Sequence, residues 1–242
     1  MRHILCTLAA AVPILLSAQR PSSTPTPPIV AADAGKLVSS HVPLGEFRRR
    51  LAFVKDGQEQ GVGTLVERIS VQGTGAQAQL VRVQEMTMGQ RTIIDTAISV
   101  RSTLAPIRHS SKQPTVTMAL QFDARRVTGT YTSGSSAPLA IDQTFDVTTF
   151  DSNNMELVIG ALPLAVGYSA RLPLYIYERN GVVWCDITVA GEEPVNGVAA
   201  WKLDVQFIGA HGAYWFTKGA STLVKSELTL PSGVTMRSTL VN

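Results

Sequence analysis

One stretch in the middle of the chain, FDSNNMELVIGALPLAVGYSARLPLYIY at residues 150–177, decides the expected architecture. Asn153 is suited to cap a helix, because its side chain can accept a hydrogen bond from an early backbone N–H, and Glu156 completes a capping box. Apolar residues then recur at helical spacing until Pro163, which cannot continue a helix. The stretch predicts a short helix over residues 153–162, which needs packing partners to be stable.

A strand is expected directly after this helix. Leu172, Leu174 and Ile176 alternate with larger or polar residues, which is typical of a strand with one apolar face. Tyr175 and Tyr177 fall on the opposite face. They either pack in the core or at a strand edge, or line a cleft or a partner surface.

The same period of two recurs on both sides of the central stretch. In residues 91–101, Ile94 and Ile98 are predicted to face one way and Asp95 the other, and residues 115–122 and 198–207 alternate more regularly. About a dozen such runs with short turns predict a mostly β domain. We expect an antiparallel meander that forms a strongly curved sheet, barrel or sandwich with one short central helix.

Composition limits the classes of function. The chain has 242 residues, of which 45% are hydrophobic and 16% charged, and its formal net charge is +3. That size suits a single domain with an ordinary core. The charge is too nearly balanced for a nucleic-acid surface, so we expect no nucleic-acid partner.

The N-terminus predicts export. Arg2 precedes a short apolar run that ends at Ser17-Ala18, the pattern of a signal peptide over residues 1–18. A Pro/Ser/Thr-rich tether is expected over residues 19–36 and a single β-rich domain over residues 37–242. No run of the mature chain is long enough to predict a transmembrane span. The expected location is the periplasm or the exterior of the cell.

One cysteine, Cys185, remains after removal of the predicted signal peptide, so no intramolecular disulfide is expected. It alternates with Val183 and Ile187 on one strand face. Free cysteine packs as a small hydrophobe, and we expect Cys185 to lie in the core.

The middle and C-terminal parts resemble a bacterial exported family known as domain of unknown function 3108. The matching pieces are FDSN at residues 150–153, ALPL at 161–164 with Gly167-Tyr168, the Trp201 strand, and YWF at 214–216 followed by LVK at 223–225. The resemblance covers residues 45–240 and implies an extracytoplasmic fold with a strongly curved sheet. Such sheets are similar to those of periplasmic lipoprotein carriers, which hold acyl chains. Lys218 stands where the family often has an aspartate.

No motif predicts a reaction, a metal or a cofactor. His41, His109 and His211 have no metal-ligand spacing. The glycines at residues 73–78 resemble a dinucleotide fingerprint, but a strand follows where the fingerprint needs a helix, and we expect a hairpin turn instead. An enzyme would need a composite site, which the fold could assemble from His109, His211 and Asp151.

The apolar sheet face suggests the function. One short helix covers only part of such a face, so the remainder must be covered by the sheet itself or by another molecule. We therefore predict that the protein is an exported, non-catalytic domain of the cell envelope. It is expected to bind an apolar ligand, such as a lipid or acyl chain, or an envelope protein. An enzyme with a composite His/Asp site and a purely structural or interaction module are the alternatives. The predicted ligand-binding residues are Val116, Met118, Leu120, Trp201, Leu203, Val205, Tyr175 and Tyr177.

Overall fold

A computed structural model describes residues 26–241, so the predicted signal peptide lies outside the described residues. Within that range a six-residue α-helix, α1 (Met155–Gly160), follows a 3₁₀ turn at Ser152–Asn154. None of the described helices is long and apolar enough to cross a membrane. The sheet has fifteen strands: β1 (Gly45–Lys55), β2 (Gln58–Gln72), β3 (Gln79–Met88), β4 (Arg91–Val100), β5 (Pro106–Lys112), β6 (Val116–Asp123), β7 (Arg126–Ser133), β8 (Leu139–Thr144), β9 (Phe150–Asp151), β10 (Ser169–Ile176), β11 (Gly181–Val195), β12 (Val198–Phe207), β13 (Ala210–Thr217), β14 (Leu223–Thr229) and β15 (Thr235–Val241).

Two meanders make up this sheet. Strands β1 to β8 pair in chain order, strands β10 to β15 do the same, and β1 joins the two meanders by pairing with β15. The pairs are antiparallel except for β9, which lies parallel to β10. Strands β8 and β9 are the edges of the described sheet, which does not close on itself. The predicted mostly β fold, a curved antiparallel meander with one short helix, is confirmed.

Helix α1 lies against the inner, concave face of the sheet. Val158 and Ile159 are fully buried, and they belong to the same core cluster as Leu174 and Leu203. A helix of six residues is unstable alone, so this packing is what holds it. Gly160 permits the closest approach, because a Cβ atom at that position would lie 2.9 Å from the Ser221 carbonyl oxygen.

The two ends of the sheet overlap. Tyr175 lies on the face of β10 that points away from α1, and it is only 1% exposed. Met118 and Leu120 on the inner face of β6 belong to its cluster, and its ring centroid is 5.8 Å from those of Phe122 and Phe145. Of the two alternatives for Tyr175, the structure shows packing in the core.

Part of the predicted tether is packed on the domain. Val30 and Ala32 are buried, and Val30 donates a backbone hydrogen bond to the Arg171 carbonyl 3.0 Å away. Residues around Ile29 thereby continue the edge of the sheet beside β10. The tether was predicted from the prolines of this segment. The short apolar run that follows them gave no signal, because three or four residues are too few to show a hydrophobic period.

The structure corrects the predicted contacts at the start of the helix. The predicted cap at Asn153 is wrong, because Asp151 Oδ1 accepts from the Asn153 backbone N–H at 3.0 Å and a 3₁₀ turn precedes α1. Glu156 does not close a capping box and instead contacts Arg82. The core position of Cys185 is confirmed, and burial raises the pKa of its thiol to about 12.

Candidate functional site

Two cavities adjoin where α1 begins, and their volumes are about 620 and 350 Å³. Both are lined by Met86, Asp95 and Asn153, so they form one continuous groove, which we call the mouth groove. One wall comes from β1 to β5, and the other from β14, β15 and the ends of β10 and β12. The 3₁₀ turn and the first turn of α1 form the floor.

Apolar side chains line much of the mouth groove. In the larger part they are Met86, Ile93, Ile176, Phe207 and Ile208. In the smaller part they are Leu65, Met86, Leu223, Leu228 and Met236. Both parts therefore offer apolar surface that α1 leaves uncovered.

A buried histidine lies at one end of the groove. His109 on β5 is 3% exposed, with Nδ1 3.2 Å from Asp151 Oδ2 and Nε2 3.7 Å from Asp95 Oδ1. Burial alone would lower the pKa of His109, but the charges of the two carboxylates outweigh it and raise the pKa to about 9. His109 is therefore an imidazolium at neutral pH, held between two carboxylates.

This protonation state determines what the histidine can do. A general base needs an unprotonated nitrogen near the operating pH, and the raised pKa keeps His109 mostly protonated there. The composite site is also incomplete, because His211 on β13 pairs with Gln206 on the outer face and lines a separate cavity. Only His109 and Asp151 of the three predicted residues lie together. Their contact ties the 3₁₀ turn to β5.

A buried ion network holds the beginning of α1. Arg82 on β3 is 2% exposed, and its Nε donates to Glu67 Oε1 at 2.5 Å while Nη2 donates to Glu156 Oε2 at 3.0 Å. Arg49 supplies a second guanidinium, with Nη2 3.7 Å from Glu67 Oε2. Burial opposes the charge of Arg82, but both glutamates raise its pKa. The network fixes the helix start to the sheet through paired charges.

Asn153 is held at the junction of the two cavities. Its backbone N–H donates to Asp151, and its backbone carbonyl accepts from Arg82 Nη1. Its side-chain nitrogen Nδ2 is buried and has no hydrogen-bond partner within the described part of the chain, and the same holds for His109 Nε2. Buried polar atoms in native proteins are nearly always satisfied, so these two are candidates for contact with a ligand.

The described residues contain no cluster of side chains suited to hold a metal ion. Within residues 26–241 there is no group of three or more His, Cys, Asp or Glu side chains that could hold an ion. The glycine-rich segment near Gly75 forms a 3₁₀ turn between β2 and β3, where no α-helix begins. It is the hairpin connection that the sequence predicted.

The structure separates the eight predicted ligand-binding residues. Met118, Leu120 and Tyr175 pack together where the sheet ends overlap. Leu203 and Val205 belong to the core around α1, and Trp201 packs against it. Val116 is half-buried on β6. Tyr177 lines the mouth groove, where its hydroxyl accepts from Gln113 Nε2 at 3.2 Å. Their contact with a ligand stays a prediction.

Sequence reasoning missed most of the groove. Strand β5, which carries His109, was not predicted, because its buried residues His109 and Ser111 are polar and hide its alternation. In β4, Ile94 and Asp95 lie on opposite faces as predicted, but Asp95 lines the groove and Ile94 is 41% exposed. The one available signal was Ile93, whose apolar side chain lies in phase with Asp95.

Comparisons with known proteins support the family and leave the chemistry open. No curated protein matches the sequence. Among solved structures, the crystal structure of a DUF1329 family protein from Desulfovibrio piger matches with a TM-score of 0.28 and 10% identity, covering 81% of this chain and 83% of that one. The family model described as "Protein of unknown function (DUF3108)" matches residues 54–239, which confirms the resemblance seen in the sequence. The chain therefore belongs to the DUF3108 family.

Proposed function

We propose that this protein is a non-catalytic binding domain of the cell envelope that takes up an apolar ligand in the mouth groove. The observation that carries the proposal is the groove itself, two adjoining cavities of about 620 and 350 Å³ in which apolar side chains lie between polar ones. Cavities of this size are typical of small-molecule sites. Apolar surface that the chain does not cover favours an apolar occupant.

The chemistry of the groove favours binding over catalysis. His109 is the titratable group closest to a catalytic role, and two carboxylates keep it protonated. A protonated, clamped imidazole is a poor general base and holds a neighbouring segment in place instead. The walls combine apolar side chains with charged groups that largely pair with one another, which leaves apolar surface for a ligand.

The proposed site differs from the slot expected from the sequence. Leu203 is fully buried beneath α1, and Leu120 is buried beneath Tyr175. A ligand at those positions would have to displace the chain's own side chains. The mouth groove needs no such displacement.

Nile red, an uncharged dye that brightens in apolar surroundings, tests the proposal. We expect saturable uptake by the wild-type protein, and Ile93→Trp should weaken it about tenfold because the larger side chain fills the groove. Ile94→Trp is the matched control, since Ile94 is the next residue of the same strand and is 41% exposed outside the groove. Organic extraction of the purified protein should also release a bound apolar molecule.

Two results would reject the proposal. One is the absence of saturable uptake by a folded wild-type protein. The other is equal uptake by Ile93→Trp and Ile94→Trp, which would place the dye elsewhere on the surface. Circular dichroism of each variant establishes that the comparison is made between folded proteins.

Export is part of the same proposal. Its support is the predicted signal peptide over residues 1–18, with Arg2 before an apolar run and Ala18 at its end. Mass measurement of protein taken from the cell envelope should show a chain that begins close to Gln19. An intact chain beginning at Met1 in the cytosol would contradict export without affecting the groove.

A further inference from the structure

We infer that the mouth groove takes an uncharged ligand with a secondary amide between two apolar arms. The inference rests on the proposed function, and it adds the chemical class of the ligand. Three features of the groove carry it: the balance of its charges, the polar atoms at the junction of its two cavities, and the apolar surface on both sides of that junction.

The charged groups in the smaller cavity are already paired. Arg49 and Arg82 are balanced by Glu67 and Glu156, at distances from 2.5 to 3.7 Å. A charged ligand would therefore find no free partner and would pay for its own desolvation. Arg237 also pairs with Glu227, and the adjacent Glu178 and Arg179 both line the larger cavity, so their charges sum to zero.

The larger cavity has no surplus positive charge either. His109 is the buried cation there, and it lies between Asp95 and Asp151. One imidazolium beside two carboxylates leaves the local charge negative. A fatty-acid carboxylate or a phosphate at this position would be repelled. A cation beside Asp95 would in turn lie close to the His109 imidazolium and be repelled by it, so the site favours an uncharged polar group.

The junction of the two cavities offers one donor and one acceptor. Asn153 Nδ2 is buried without a partner, and Asn153 lines both cavities. Asp95 also lines both, and its carboxylate is 22% exposed and 3.7 Å from His109 Nε2, beyond hydrogen-bond distance. A carbonyl oxygen can accept from Asn153, and an N–H can donate to Asp95. A secondary amide carries both groups.

The backbone around Asn153 makes this donor a fixed feature. Asp151 holds its N–H at 3.0 Å, and Arg82 binds its carbonyl oxygen. Both partners are buried, so the backbone that carries this side chain is held at the junction of the two cavities. A donor on a backbone that is held before binding loses less entropy when a ligand arrives.

Apolar surface continues on both sides of the junction. Ile93 and Phe207 line the larger cavity, and Leu65 and Leu228 line the smaller one. An apolar arm in each cavity would place the linking group beside Asp95 and Asn153, where the two cavities meet. A ligand with its polar group at one end would leave these atoms unsatisfied.

Three uncharged competitors of equal length separate the two hydrogen bonds. They are N-butylpentanamide, which has a donor and an acceptor, butyl pentanoate, which has an acceptor only, and decane, which has neither. Each is titrated against bound Nile red with the wild type and with variants. Comparing variants for one compound cancels that compound's own hydration.

Asp95→Ala tests the donor side. We expect the amide to displace the dye about tenfold more weakly, while displacement by the ester changes by no more than about twofold. Only the amide has an N–H, and the substitution removes the charged group that accepts its hydrogen bond. Asp123→Ala, at an exposed carboxylate at the end of β6, is the control and should change neither. An equal loss for amide and ester would overturn the inference, and so would no loss for either.

Asn153→Ala tests the acceptor side. Both the amide and the ester should weaken about fivefold, and decane should be unaffected. If Asp95→Ala does not fold, the N-methylated amide serves on the wild type, where it should bind about tenfold more weakly than the secondary amide. Equal binding of the two amides would overturn the inference. Failure of all three compounds and of the dye would instead reject the proposed function.

Discussion

The interior around α1 and the mouth groove lie on the same inner face of one sheet, yet the first is packed and the second is open. In the interior, Val158 and Ile159 of the helix are fully buried against the core cluster that contains Leu203. In the groove, the same face carries Asp95 and His109. Apolar helix side chains cannot cover such groups without desolvating them. Polar residues on the inner face therefore mark where packing stops.

Arg82 lies at the boundary between these two regions. It pairs with Glu67 on the sheet, with Glu156 on α1 and with the Asn153 carbonyl. These contacts place the first turn of the helix at a fixed position above the sheet. A helix of six residues that begins there is too short to cover the groove.

The largest effect is expected for Arg82→Ala. The substitution leaves Glu67, which is 2% exposed, with only the more distant Arg49 as a charge partner. It also removes the hydrogen-bond donor to the Asn153 carbonyl. Breaking a buried ion pair from one side lowers the free energy of unfolding by roughly 3–5 kcal/mol. Denaturant titration measures the loss. Arg68→Ala is the matched control, because Arg68 is 50% exposed beside Glu46 and its loss is expected to cost about 1 kcal/mol or less.

A smaller loss of stability is expected for Leu203→Ala, together with unchanged binding. Leu203 is fully buried in the interior, so its truncation leaves a cavity and costs roughly 3 kcal/mol. The residue does not line the groove, and the folded variant should bind Nile red with wild-type affinity. Val198→Ala on the same strand is the control, since Val198 is 46% exposed. Loss of dye affinity in folded Leu203→Ala would mean that the interior and the groove are one site.

A modest pH effect should come from His109. Its pKa is raised from 6.5 to about 9 in the folded protein, so its stabilising contribution is complete below pH 6.5 and is lost as the pH rises towards 9. The denaturant midpoint should fall between pH 6.5 and about 8, below the range in which Tyr and Cys ionise. His109→Gln should remove most of this slope. An unchanged slope in the variant would show that the imidazolium does not hold the 3₁₀ turn.

The sequence predicted the packed region well and the groove poorly, for a physical reason. Strands such as β12 and β6 alternate apolar and polar residues because one of their faces is dry, and the helix was visible through its spacing up to Pro163. In β4 and β5, the inner face carries Asp95 and His109, so hydrophobic periodicity gives no sign of the groove face of β4 and misses β5 altogether. A pattern that detects burial through apolar residues fails where buried residues are charged.

The start of the helix and the overlap of the sheet ends show a second limit of prediction from sequence. Asp151 and Asn153 both suit a helix start, and the choice between them depends on the partner that His109 supplies from a distant strand. Tyr175 was expected either to pack in the core or at a strand edge, or to line a cleft or partner surface. It is buried because β6, a strand distant in sequence, packs on it. Such long-range contacts leave no trace in a local period.

Oxidation of two methionines on one strand tests most directly whether the mouth groove holds a ligand. Met86 and Met88 both lie half-buried on the inner face of β3, and only Met86 lines the groove. Brief peroxide treatment converts accessible methionine to its sulfoxide, which mass spectrometry of fragment ions assigns to each position. With Nile red or N-butylpentanamide bound at saturation, we expect oxidation of Met86 to slow several-fold while Met88 is unchanged. Equal rates at both methionines with and without ligand would contradict binding in the mouth groove.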